Sequence, residues 1–93
     1  MRHFVPEDRL SRTTGLFSTE LDQETVLMSI DAGAYYGLAG VARNIWEKLQ
    51  NPTSFSELVD HLQSEYCVSR ETCASDVQKF LAKLEQEGLL RVE

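Results

Sequence analysis

The pattern of apolar and polar residues changes its period close to Leu38. Residues 25–30 (TVLMSI) and 34–38 (AYYGL) are typical of two short strands, and three residues separate them. From residue 41 to residue 46 the apolar positions follow the 3.6-residue period of a helix. The pattern therefore predicts a β-hairpin that runs directly into a helix.

The hairpin has two possible registers. A two-residue turn at Ala32-Gly33 would split the apolar side chains between the two faces of the hairpin. A three-residue loop with Gly33 in the left-handed conformation places every large apolar residue except Leu27 and Tyr35 on one face, so we predict this second register. Its pairs are Ile30 with Ala34, Met28 with Tyr36, and Val26 with Leu38.

The segment before the hairpin is β-compatible but contains a glycine. Residues 10–20 (LSRTTGLFSTE) are interrupted by Gly15, which predicts one bent or bulged strand. With the hairpin it forms a three-stranded antiparallel meander, in which residues 34–38 are an edge strand. Residues 1–9 are predicted to be an irregular N-terminal arm, and residues 10–93 a single domain.

Three amphipathic segments follow the hairpin. The first helix begins at Ala39 or Gly40 without a side-chain cap, Ser54 caps the second, and Ser69 caps the third. The predicted buried residues are Val41, Ala42, Ile45, Trp46 and Leu49 in the first helix, Leu58, Val59, Leu62 and Tyr66 in the second, and Cys73, Val77, Phe80, Leu81 and Leu84 in the third. A three-stranded antiparallel sheet followed by three helices predicts an α+β domain of the winged helix-turn-helix-like type.

Composition and charge restrict the function. The chain has 93 residues, 42% of them hydrophobic and 26% charged, as in a small globular domain. A net charge of −6 disfavours nucleic acid as a partner. There is no apolar run of the length that a membrane helix needs and no secretory signal, so we expect no membrane partner and a cytoplasmic location.

The residue types that carry catalysis or bind metals are few and scattered. Cys67 and Cys73 match neither a zinc nor a redox spacing, so we expect a loop thiol and a small core residue respectively. His3 and His61 are expected at the surface. Since no nucleophile, metal cluster or phosphate-binding glycine motif is visible, we predict no catalysis, no metal and no cofactor.

The predicted edge strand is the feature that suggests a function. Residues 34–38 carry no lysine, proline or acid that would protect an open edge from pairing. A guest peptide could add to this edge as a further strand, with its side chains in a groove beside a helix. Alternatively, another part of the domain covers the edge.

The same residues resemble the PqqD-like family, whose members recognise the leader segment of ribosomally made precursor peptides (RiPP recognition elements). The resemblance covers residues 16–91. It is carried by the runs VLMSIDAGAYYGL (26–38) and VARNIWEKL (41–49), by Ser56-Glu57-Leu58-Val59 with Leu62, and by Cys73, Asp76-Val77, Phe80-Leu81, Leu84 and Gly88-Leu89-Leu90. Within the family, the chain looks most like the stand-alone leader-binding proteins of lasso peptide biosynthesis.

The resemblance implies a leader bound as an added strand, and partners that act on it. Those partners are a leader peptidase of the cysteine-protease type and an ATP-dependent cyclase, without nucleic acid or membrane. The implied peptide-binding residues are Ala34, Tyr35, Tyr36, Gly37 and Leu38 in the strand, and Asp76, Val77, Lys79, Phe80, Lys83 and Leu84 in the third helix. Phe80 and Leu84 could instead be packing residues.

Two other functions share the predicted fold. A winged-helix DNA-binding regulator would need a cationic recognition helix, whereas residues 69–88 contain three basic residues and four acidic ones. A homodimerisation or interaction domain would pair the edge strands of two copies.

Overall fold

The computed structural model describes residues 3–30, 33–66 and 68–93. Its elements, in chain order, are β1 (Arg9–Arg12), β2 (Leu16–Leu21), β3 (Glu24–Ser29), β4 (Ala34–Leu38), α1 (Gly40–Lys48), β5 (Thr53–Ser54), α2 (Phe55–Glu65), α3 (Arg70–Gln86) and β6 (Leu90–Val92). The predicted class, an antiparallel three-stranded sheet followed by three helices, is confirmed. The additional strands form a second, smaller sheet.

The main sheet has the strand order β2-β3-β4, and both pairings are antiparallel. A tight turn joins β2 to β3, with Asp22 and Gln23 both at positive φ, as a two-residue turn that matches the strand twist requires. Because β3 lies in the middle, β4 is an edge strand, as predicted.

The prediction of one bent strand over residues 10–20 is wrong. The chain breaks at Gly15, whose φ of +83° belongs to the left-handed region that glycine adopts without steric cost. Before the break, β1 pairs with β5 and β6 in the second sheet. Sequence separation explains the error, because the partners of β1 lie about 40 and 80 residues away and leave no local pattern.

The predicted register of the β3–β4 hairpin is also wrong. Gly33 has the expected positive φ of 64°, but four residues, 30–33, separate the paired Ser29 and Ala34. Leu27 therefore faces the core and is fully buried, whereas Ile30 is 62% exposed. The predicted register places most of the large apolar residues on one face of the hairpin. The face away from the helices, however, has an apolar row of its own, formed by Phe17, Met28 and Tyr35 as direct cross-strand neighbours.

The helices begin where their caps predict. The Ser54 hydroxyl accepts a hydrogen bond from the Glu57 N–H at 3.1 Å, and the Ser69 hydroxyl accepts one from the Thr72 N–H at 3.1 Å. Ala39 precedes α1 and offers no side-chain cap, as expected. The core between helices and sheets contains Leu10, Leu27, Ile45, Trp46, Leu49, Leu58, Val59, Leu62, Val77, Leu81, Leu84 and Leu89.

The segment before β1 is irregular in backbone but anchored by Phe4, which is only 1% exposed. The Gln78 side chain of α3 accepts a hydrogen bond from the Phe4 N–H at 2.8 Å and donates one to the Phe4 carbonyl at 2.6 Å. The Phe4 ring lies 6.3 Å from that of Phe55. Burying a side chain of this size contributes about 2–3 kcal/mol, so α3 is covered by the chain's own N-terminal segment on this flank.

Candidate functional site

The outer edge of β4 is open. Each β4 residue pairs with β3 on one side, and no other described segment forms backbone hydrogen bonds with residues 34–38. Main-chain groups on the free side are thus available to a further strand. No other described strand of the domain therefore pairs with this edge.

One side of α3 forms a wall beside β4. Asp76, Phe80, Lys83 and Glu87 follow one another at intervals of four, three and four residues, which places them in one row along a helix. At the far end of the row, the Tyr36 hydroxyl of β4 donates a hydrogen bond to the Glu87 carboxylate at 3.2 Å. We call the space between β4 and this row of α3 the groove, and the Tyr36–Glu87 bond spans it at one end.

At the other end of the groove lies an apolar pocket of about 290 Å³. It opens between α1 and α3, next to the point where α1 leaves β4. Its lining residues are Val41, Ala42, Ile45, Leu62, Tyr66, Val68, Cys73, Asp76, Val77 and Phe80. Asp76 is the only charged residue among them, so the pocket suits a large apolar side chain whose polar tip lies near the rim.

The Tyr36 hydroxyl at the groove and the Cys73 thiol at the pocket both keep their protons at neutral pH. Loss of water contact, followed by the hydrogen bond to Glu87 and its charge, raises the pKa of Tyr36, so its hydroxyl remains a donor. Burial raises the pKa of Cys73, with the Asp76 charge acting in the same direction and Arg70 opposing it. The Cys73 thiol is therefore not activated as a nucleophile.

The described ranges contain no candidate metal site and no candidate membrane-spanning helix. No group of three or more His, Cys, Asp or Glu residues could hold a metal ion there. None of the helices combines the length and the apolar character that spanning a bilayer requires. Cys73 is buried and His3 and His61 are exposed, as predicted; the expected loop thiol, Cys67, lies outside the described residues.

The structure places the predicted peptide-binding residues of β4 and α3 in different surroundings. Asp76, Val77 and Phe80 line the pocket, Lys83 lies on the groove wall, and Tyr36 spans one end of the groove. Leu38 and Leu84, 8% and 3% exposed, are core residues. Ala34 and Gly37 contribute main chain to the open edge, and Tyr35 points to the opposite face with 73% of its surface exposed.

Lys79 is not brought to the groove. It lies on the other flank of α3, beside His3, Phe4 and Glu71. Lys79 is three residues from Asp76 and four from Lys83, so on the helix it is rotated by about 60° from Asp76 and by about 40° from Lys83. The rotation is in the direction away from Phe80 and the pocket.

Sequence reasoning missed part of the site. Val41, Ala42 and Tyr66 were assigned to the core, yet Val41 is 46% exposed and all three line the pocket. Apolar residues around a pocket have the same helical spacing as core residues, so the pattern could not separate them. Glu87 was also missed, although the spacing from Asp76 through Phe80 and Lys83 identifies it as the next residue in the row.

Comparison with protein families gives one match. The model for "Coenzyme PQQ synthesis protein D (PqqD)" matches residues 24–90, which contain β3, β4, all three helices and the groove. A search among curated proteins found no match.

Two solved structures are similar to this one. The first, "TbiB1 in Complex with the TbiA(beta) Leader Peptide", is 33% identical and superposes with a TM-score of 0.81, covering 87% of this chain and 94% of that one. The second, "Lasso peptide synthetase B1 complexed with the leader peptide", is 23% identical with a TM-score of 0.78 over 88% of this chain and 96% of the other.

Proposed function

The chain belongs to the PqqD family, and on that premise we propose that it binds the leader segment of a ribosomally synthesised precursor peptide. In this proposal the leader adds to β4 as a fourth strand of the main sheet. The family consists of non-catalytic binding domains, so the chain presents the precursor and other proteins modify it.

The observation that carries the proposal is the open edge of β4 beside an apolar pocket. An edge strand alone offers main-chain hydrogen bonds, which bind any extended peptide equally well. The pocket, between α1 and α3, adds a site for one side chain and therefore selects among sequences. The 33% identical relative was solved with a leader peptide, which supports the same ligand class here.

The lasso peptide assignment is the finer part of the proposal. It rests on the sequence resemblance of the β4 strand, of Ile45-Trp46-Glu47 in α1 and of the α3 pattern to lasso-type proteins. It names a cysteine-protease-type leader peptidase and an ATP-dependent cyclase as the partners that receive the precursor. The lasso synthetase structure supports the fold only, because its identity to this chain is 23%.

A proline at position 37 tests strand addition directly. Gly37→Pro removes an N–H from β4 and fixes φ, so we expect the affinity for the leader to fall at least about 100-fold. The leader is taken from the precursor peptide encoded beside this gene, and affinity is measured by isothermal titration. Gly37→Ala is the matched control, since a Cβ there meets only the Glu24 carboxylate at 3.5 Å, an ordinary contact.

Two results would count against the proposal. One is unchanged leader affinity in a Gly37→Pro variant whose circular dichroism and melting temperature match those of the wild type. The other is a leader-free dimer that the leader does not dissociate in light scattering, because two copies would then pair through β4 as an interaction domain.

A further inference from the structure

We propose that Lys83 selects leaders with an acidic side chain on the groove face of the bound strand, a specificity that rests on the proposed function. Such an acid would lie two or four residues from the apolar side chain in the pocket. The open edge and the apolar pocket do not by themselves determine whether the leader carries this acid.

The charges along the α3 wall have a fixed order. Asp76 lies at the pocket, Lys83 lies further along, and Glu87 at the far end accepts a hydrogen bond from Tyr36. The Glu87 carboxylate is therefore already engaged within the chain. Lys83 is exposed, and its ammonium has no ion-pair or hydrogen-bond partner among the residues that the structure describes.

Lys83 differs from three of the cations on the other surfaces of the domain. Arg43, Lys48 and Arg70 each form an ion pair, with Glu20, Glu65 and Asp60 respectively. Among the described residues, Arg9, Lys79 and Arg91 also form no ion pair, so Lys83 is distinguished by its position. Lys83 stands in the row that faces the groove, where an added strand would lie. A carboxylate on that strand would complete the pair in a partly desolvated setting, whereas a lysine there would be repelled.

Helix and strand geometry set the spacing. Asp76 and Lys83 are seven residues apart, which is about 10 Å along a helix. Side chains on one face of a strand repeat every two residues, at about 7 Å and then about 13 Å. If one guest side chain lies beside Asp76, the residues two and four positions further along the guest strand are on the same face. One of these residues then lies opposite Lys83.

A random 12-residue peptide library displayed on phage tests this selectivity without knowledge of the natural leader. We expect the wild-type protein to enrich peptides with Asp or Glu two or four positions from a large apolar residue. Lys83→Glu should lose that preference and enrich Lys or Arg there. Arg91→Glu is the matched control: it makes the same charge change on an exposed residue of β6 in the second sheet, so it should keep the wild-type preference.

The enriched peptides then allow a direct measurement by fluorescence polarisation. Replacing their acid with Gln should weaken binding to the wild type about fivefold at low salt, with a smaller difference at high salt. Enrichment of apolar anchors without an acid, or the same shift in the Lys83→Glu and Arg91→Glu variants, would overturn the role of Lys83 and leave strand addition standing. Failure to enrich any peptide, or peptides that bind Gly37→Pro as well as wild type, would overturn both proposals.

Discussion

The main sheet has two edges, β2 and β4, and they differ in what lies beside them. Next to β2, the Arg43 guanidinium pairs with Glu20 at 2.8 Å and contacts the Thr25 hydroxyl, so polar groups occupy that side of the sheet. Next to β4, the sheet borders an apolar pocket and the wall of α3. Both edges can pair with another strand through their main chain, but β4 alone is accompanied by a groove.

The residues of the two edges support the same distinction. β2 contains Glu20, and charge on an edge strand discourages pairing with another chain. β4 reads AYYGL and has no charged residue. An open edge thus becomes a selective binding site when the neighbouring helices leave a pocket at its end.

Filling the pocket should leave β4, like β2, as an open edge without a site for a guest side chain. Ala42 lines the pocket and is partly buried, so Ala42→Phe would occupy the space that a guest side chain needs. We expect leader affinity to fall about tenfold or more, roughly 1.4 kcal/mol, with little loss of stability because the added ring enters open space. Titration with the leader and thermal unfolding measure the two effects.

The control for pocket filling is Phe17→Ala on β2. Phe17 is 57% exposed on the sheet face away from the helices, so its removal should leave leader affinity unchanged. Equal losses of affinity in the Ala42 and Phe17 variants would mean that the leader does not use the pocket.

The titration of Tyr36 on β4 should give a smaller difference between the two edges, which is visible in alkaline solution. The pKa of Tyr36 is raised from its ordinary value of 10.0, so the folded protein favours the protonated hydroxyl. The resulting stabilisation is complete below the unfolded pKa and is lost as the pH rises through the higher folded value. Ultraviolet titration of a variant with Tyr35 and Tyr66 replaced by Phe should show one late-titrating tyrosine.

Glu87→Ala in the same background tests the cause of this shift. It should bring the Tyr36 titration back toward the ordinary value, because the hydrogen bond and the negative charge are both removed. A titration that is unaffected by Glu87→Ala would mean that Tyr36 does not bridge β4 and α3 in solution.

The sequence predicted the fold class because its signals are local. The caps Ser54 and Ser69, the glycine at position 33 and the change of period near Leu38 each act over a few residues. The second sheet could not be predicted, since β1 pairs with segments far along the chain. The prediction of the hairpin register was wrong for a different reason, because Met28 and Ile30 are apolar but do not face the core.

The site was predicted to a similar extent. Asp76, Val77, Phe80 and Lys83 could be identified because they border the apolar side of a well-marked helix. The pocket residues Val41, Ala42 and Tyr66 could not, since three separate elements must pack before an unfilled space exists between them. Lys79 lies beside His3, Phe4 and Glu71 rather than at the pocket, a placement that depends on the rotation of α3, which is a tertiary property.

Backbone hydrogen exchange of the protein with and without leader is the sharpest test of strand addition to β4, because it compares β2 and β4 in one experiment. We predict that the leader slows exchange of amides in β4, within residues 34–38, and leaves β2, residues 16–21, unchanged. Two results would contradict addition of the leader to β4. One is slower exchange in β2, and the other is unchanged exchange in both strands while the leader is bound.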